Sequence, residues 1–172
     1  MSALYNSPVL YDRSKSIVEA FSVKPHTRKL MLFADHGGLS EAKGFVQSQD
    51  AAGVPYELYY LADGKEEESE ILASTPTGTT VLRDAGEADI LAILRTQKMG
   101  AKLYLSGLWK MAEMVYPLAI DAGFAEDEIQ VFITGQKARA VFCPKCYSLT
   151  SVQDEEVTRC SYCGVMLNIG PH

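Results

Sequence analysis

All four cysteines of this chain lie between positions 143 and 163, and none lies in the 142 residues before them. They form two Cys-x-x-Cys pairs, Cys143 with Cys146 and Cys160 with Cys163, separated by 13 residues. Such crowding marks a local site and not a disulfide framework, which would spread its partners along the chain. The sequence shows no export signal, so the thiols are expected to stay reduced and free to act as metal ligands. The C-terminal segment, 138–172, is too short to build a self-sufficient hydrophobic core, and an ion held by four sulfurs would staple it. Each pair has the form of a knuckle, a tight turn presenting two thiolates to one tetrahedral ion. Gly164, directly after the second pair, can take the positive φ such a turn demands and bring backbone N–H groups toward the sulfurs. Residues 147–159 have the length of a hairpin linking the knuckles, with Asp154, Glu155 and Glu156 at its tip.

Zinc and iron both accept four thiolates. The ligand set and compartment favour structural Zn²⁺. Rubredoxin-type knuckles usually carry a glycine after each pair, whereas Tyr147 follows the first one here. The protein fills all four positions, so no coordination site is left for water or substrate. Zinc ribbons often bind nucleic acid, but from Ala140 onward Lys145 and Arg159 face Asp154, Glu155 and Glu156. Over the whole chain 16 basic side chains stand against 22 acidic ones, for a net charge of −6. Displacing counterions from a phosphate backbone needs the opposite balance, so protein partners are expected and nucleic acid is not. The exposed apolar candidates Phe142, Tyr147, Tyr162, Val165, Met166 and Leu167 suit docking on a protein.

With 172 residues, 47% of them hydrophobic, the chain can bury a real core ahead of the cysteine module. No run approaches the ~18 apolar residues of a membrane span, and Asp12, Arg13 and Lys15 interrupt any secretory core, so a cytoplasmic protein is expected. Residues 1–28 read as an arm with a short amphipathic stretch at Ile17, Val18, Ala20 and Phe21. Its apolar residues Leu4, Tyr5, Val9, Leu10 and Tyr11 would cover either this chain's own core or a neighbour. From residue 29 short apolar runs alternate with helical periodicity, the pattern of parallel strands covered by helices. Strands are predicted at 30–34, 56–61, 79–82, 102–105 and 129–133. Helices are predicted at 40–52, with Ser40 as N-cap and Gly53 as stop, at 87–99 and at 108–122. Residues 63–70 read as a solvated acidic turn. Five strands and three helices make 29–137 a small, doubly wound α/β domain with a parallel sheet, followed by the four-cysteine zinc ribbon at 138–172.

Residues 103–133, LYLSGLWKMAEMVYPLAIDAGFAEDEIQVFI, are similar to the final part of ferredoxin-reductase-like nicotinamide-binding domains: strand, Cys-Gly-Pro, helix, glycine, and acids before a last strand. Residues 29–61 similarly resemble that family's first strand, glycine-rich turn, helix and second strand. Carried over residue by residue, the resemblance marks Gly37, Gly38, Ser106 and Gly107 as the cofactor-binding positions. Several departures weigh against NADP or NAD binding. Asp35 opposes a phosphate, Ser106 replaces the cysteine, Leu108 replaces the proline, and Asp63 with Glu66, Glu67 and Glu68 replaces a basic 2′-phosphate site. Residues 1–28 leave no room for a flavin-binding barrel, so no electron acceptor is expected within this sequence. The domain therefore reads as a degenerate nucleotide-binding scaffold.

Joined to the Cys143/Cys146/Cys160/Cys163 ribbon, this domain resembles the DmmA-like subunits of bacterial dimethylamine monooxygenase. The resemblance implies an accessory subunit, without an active site of its own, in a hetero-oligomeric haem enzyme. That enzyme uses NADPH and O₂ to convert dimethylamine to methylamine and formaldehyde, with haem, flavin and iron–sulfur groups on partner subunits. Two rival readings stay open: an NAD(P)H-binding module that delivers hydride to a partner's flavin, and a rubredoxin-like electron carrier. No Ser/His/Asp or Cys/His set supports nucleophilic catalysis. His36 is a candidate proton-transfer group or a plain turn residue, and Trp109 an interface anchor or a core residue. His26 and His172 carry no chemistry.

Overall fold

The computed structural model describes residues 10, 14–50, 52–136, 139–152 and 155–169. The chain divides into two compact units, Met1–Gln136 and Lys137–His172. The domain boundary expected at 137/138 falls outside the described residues, as do Leu4, Tyr5, Val9, Tyr11, Asp154 and His172.

In the first unit the elements follow as β1 (Lys29–Ala34), α1 (Leu39–Asp50), β2 (Tyr56–Ala62), α2 (Glu68–Ser74), β3 (Thr80–Arg83), α3 (Glu87–Arg95), β4 (Ala101–Leu108), α4 (Trp109–Asp121) and β5 (Ile129–Thr134). All strand pairs are parallel, in the order β3-β2-β1-β4-β5. The fold class is therefore α/β with a five-stranded parallel sheet, and its winding reverses between β1 and β4. The central strands are buried along most of their length because both faces are covered. Residues Leu30 to Ala34 have no accessible surface, and Leu103 to Leu105 have none either. Leu30, Leu32 and Ala34 pack with Leu58 and Tyr104 against Ala42, Phe45 and Val46 of α1. Alternation along a strand sends Met31 and Phe33 to the opposite face. Right-handed crossovers put α1 and α2 on one face and α3 and α4 on the other, where those last two touch.

The structure departs from the sequence reading in four places within this unit, the first being that α3 ends at Arg95 with Thr96 as its C-cap, four residues short of the Met99 expected. The acidic turn runs into a fourth helix, α2, whose Ile71 is buried beside Tyr60 and Leu39. Glu66 does more than solvate the turn: it accepts the Tyr60 hydroxyl at 2.6 Å and the Asp63 N–H at 2.9 Å. Ser40 sits inside the first turn of α1 and does not cap it, since the helix already begins at Leu39.

Described residues of the arm cover this chain's own sheet. Beside α1, Phe21 packs over β4 and β5, with ring centroids 5.2 Å from Phe45, 5.3 Å from Tyr104 and 6.0 Å from Phe132. Gln130 clamps Ser22 by accepting its N–H at 2.9 Å and donating to its carbonyl at 2.7 Å. Residues 16–18 run alongside β5: Val131 N–H donates to the Ser16 carbonyl, and Val18 N–H donates to the Val131 carbonyl. That pairing satisfies an otherwise open sheet edge. Phe21→Ala is expected to cost about 2–3 kcal/mol, less than a fully buried phenylalanine, read as a lowered urea midpoint at unchanged slope. Among the described residues no helix is long and apolar enough to cross a membrane.

Candidate functional site

The second unit is two small hairpins, and each ends in a cysteine knuckle. Strands β6 (Arg139–Phe142) and β7 (Leu149–Val152) pair antiparallel, with Phe142 opposite Leu149. Strands β8 (Val157–Arg159) and β9 (Met166–Asn168) pair likewise, with Arg159 opposite Met166. Residues 147–159 thus do not form the linking hairpin expected from the sequence; they supply one strand to each of two separate hairpins. The physical reason is the knuckle itself: the hydrogen bond from Cys143 N–H to the Ser148 carbonyl sets residue 142 opposite 149, and that from Cys160 N–H to the Val165 carbonyl sets 159 opposite 166.

The two knuckles repeat one hydrogen-bond pattern 17 residues apart. Cys143 N–H donates to the Ser148 carbonyl and Tyr147 N–H to the Cys143 carbonyl; Cys160 N–H donates to the Val165 carbonyl and Gly164 N–H to the Cys160 carbonyl. The residue after each second cysteine takes positive φ, 71° at Gly164 and 58° at Tyr147. The first knuckle therefore makes the same turn without glycine, at a steric cost. These turns bring the four sulfurs within 4.8 Å of one another. Cys143 Sγ lies 3.6 Å from Cys163 Sγ, and Cys146 Sγ 3.5 Å from Cys160 Sγ. A tetrahedral ion with metal–sulfur bonds of about 2.3 Å needs sulfur–sulfur edges near ~3.8 Å, so the donor set fits. Cys143 and Cys160 are buried with Leu167, and Val141 and Val165 pack around them.

The thiols differ in acidity. The Cys163 amide, the Ser148 hydroxyl and the Tyr162 amide all point at Cys160 and hold its thiol down at about 5. The Ser148 hydroxyl also lowers Cys146. At Cys163 the Val165 amide pulls the value down, but burial and the three neighbouring sulfurs outweigh it and push the thiol up to about 11. At neutral pH an incoming ion must therefore displace at least the Cys163 proton. Affinity should rise with pH, by about tenfold per unit for each proton released, and fall more steeply below the Cys160 value as that sulfur also takes up a proton. Chelator competition at several pH values measures this slope.

At the other candidate site, the reversal point between β1 and β4, ligands bind in open α/β sheets because two helix N-termini converge there. Here a side chain of the protein holds those amides. Asp35, directly after β1 and 8% exposed, accepts the N–H of Gly37 at 2.9 Å and of Gly38 at 3.2 Å through Oδ1. Its Oδ2 accepts the N–H of Leu108 at 3.0 Å, just before α4. One carboxylate thus bridges the start of α1 and the start of α4.

The marked positions close around it. Ser106 Oγ donates to the Gly38 carbonyl at 2.8 Å. A Cβ on Gly38 would fall 2.0 Å from the Ser106 backbone, and one on Gly107 would fall 2.4 Å from the Asp35 carboxylate. A Cβ on Gly37 would meet Thr134 Oγ1 at 2.8 Å. The structure brings Gly37, Gly38, Ser106 and Gly107 together, and their small size serves contact between chain segments. His36 is exposed at the rim of an open groove of about 520 Å³ that also includes Ser40 and Lys43. Trp109 is buried. Sequence reasoning took Asp35 only as a repulsive group and missed the Leu108 amide. It also missed Ser148, although two residues past Cys146 is a fixed place in a knuckle, and Thr150, whose hydroxyl accepts the Ser161 N–H at 3.2 Å beside Cys160.

No protein-family model and no curated protein matches the sequence. A solved structure that does match is the crystal structure of an intact type IV self-sufficient cytochrome P450 monooxygenase. It shares 15% identity over 77% of this chain, with a TM-score of 0.49. The chain spans 19% of that much longer protein. Nothing about the chemistry of this chain follows from a likeness of that size.

Proposed function

We propose that this chain is a non-catalytic accessory subunit of an oxidoreductase complex, in which a metal-stapled ribbon and a closed α/β scaffold provide docking and positioning. The observation that carries the reading is the Asp35 carboxylate seated on the Gly37, Gly38 and Leu108 amides. A pyrophosphate binds a nucleotide fold through such amides, and here it would meet a negative charge already in place. The complex the sequence resemblance points to is the haem-dependent, NADPH- and O₂-using dimethylamine monooxygenase. Flavin, iron–sulfur and haem chemistry would then belong to partner subunits. In this chain Cys143, Cys146, Cys160 and Cys163 would hold Zn²⁺, which supplies a closed-shell crosslink and no redox step.

The test is reconstitution with the redox subunits of such an enzyme. The isolated chain should consume no NADPH with an artificial electron acceptor. It should co-elute with those subunits, and its omission should lower dimethylamine-dependent O₂ uptake. NADPH oxidation by the chain alone would instead establish a hydride-delivering module, and a red ferric spectrum an electron carrier.

A further inference from the structure

The two knuckles share their backbone but not their side chains at one telling place. The residue whose carbonyl receives the first cysteine's N–H is Ser148 in one knuckle and Val165 in the other. Backbone donors to sulfur are matched, with the Ser148 amide directed at Cys146 and the Val165 amide at Cys163. The Ser148 hydroxyl has no counterpart. Its Oγ lies 2.9 Å from Cys146 Sγ and 3.5 Å from Cys160 Sγ, spanning one edge of the sulfur cage. Val165 offers no polar side-chain atom to the opposite edge, Cys143 and Cys163.

We propose that Ser148 is a positioning residue of the metal centre, donating its one hydroxyl proton to Cys146 with Cys160 as a longer second contact, and leaving Cys163 as the thiolate that electrophiles reach first. The proposal rests on the four sulfurs holding an ion. A hydroxyl donating to a thiolate draws charge from the sulfur, orients it and lowers its nucleophilicity. Cys143 and Cys160 are shielded by burial, so the contest lies between the half-buried Cys146 and Cys163. Only Cys146 has the hydroxyl. A maleimide adds to a sulfur by forming one S–C bond at its alkene carbon while the metal–sulfur bond breaks. The adjacent carbon takes a proton from water, and no electrons leave the system.

The experiment uses the full chain loaded with Zn²⁺, as wild type, S148A and S148T. Wild type should carry one ion, and limiting N-ethylmaleimide with peptide mapping should label Cys163 first. S148A should hold Zn²⁺ about tenfold more weakly against a chelator and label Cys146 as fast as Cys163, while S148T restores both properties. Cys146 labelled first in wild type, or S148A matching wild type in affinity and labelling order, would overturn the proposal. Should S148A not fold, the wild-type labelling order and its retention in S148T still decide. A wild-type chain that takes up no ion defeats the metal reading itself, a result distinct from a loaded chain indifferent to Ser148.

Discussion

Replacing Cys160 or Cys143 by serine is expected to unfold the C-terminal unit while the α/β unit stays native. Among the described residues of the second unit, the buried apolar side chains are the two cysteines, Leu167 and Val152. Its strands are three or four residues long. Short hairpins of that kind are at best marginal in water. In such modules the free energy of ion binding, about 10–16 kcal/mol for structural zinc, is in effect the free energy of folding. Removing one ligand should therefore collapse the amide dispersion of residues 139–169 and open them to proteolysis, with resonances of 14–136 unchanged. Chelation of the wild type should have the same effect. A C-terminal unit that keeps its native spectrum without metal would show that something other than the sulfur cage organises it.

Asp35→Ala is expected to destabilise the α/β unit strongly although the site lies outside its apolar core. It strips the acceptor from the Gly37, Gly38 and Leu108 amides at once, in a place where the Gly38–Ser106 approach leaves no room for repacking. Hydrogen bonds to a charged group contribute about 1.5–3 kcal/mol each and are not additive, so the expected loss is about 3–5 kcal/mol in a urea titration of the metal-loaded chain. Asp35→Asn keeps one acceptor oxygen and should lose about half as much. A loss below about 1 kcal/mol for alanine would mean that the carboxylate sits on those amides without holding the crevice together.

Much of this could be read from residues in order, and the exceptions share a cause. The strands at Leu30 and Leu103 announce themselves as unbroken apolar runs because both faces are buried, and the knuckles because their spacing is fixed by metal geometry. Helix α2 escaped notice because its start lies within the acidic run and Glu67 provides no side-chain cap. The hairpin pairing is not legible in composition because each strand's partner is set by the backbone hydrogen bonds of the Cys-x-x-Cys turn beside it. The role of Phe21 is non-local, since its partners Tyr104 and Phe132 lie more than eighty residues away. Asp35 was the most instructive case. Its charge was legible as an obstacle to phosphate, but its service to three amides required the β4 end to be placed beside the β1 turn.

Amide NMR of the metal-loaded chain titrated with NADPH tests most directly whether the crevice is closed by its own carboxylate. The resonances of Gly37, Gly38 and Leu108 should stay in place to millimolar nucleotide. Saturable shifts confined to those three amides in the wild-type chain would contradict the account.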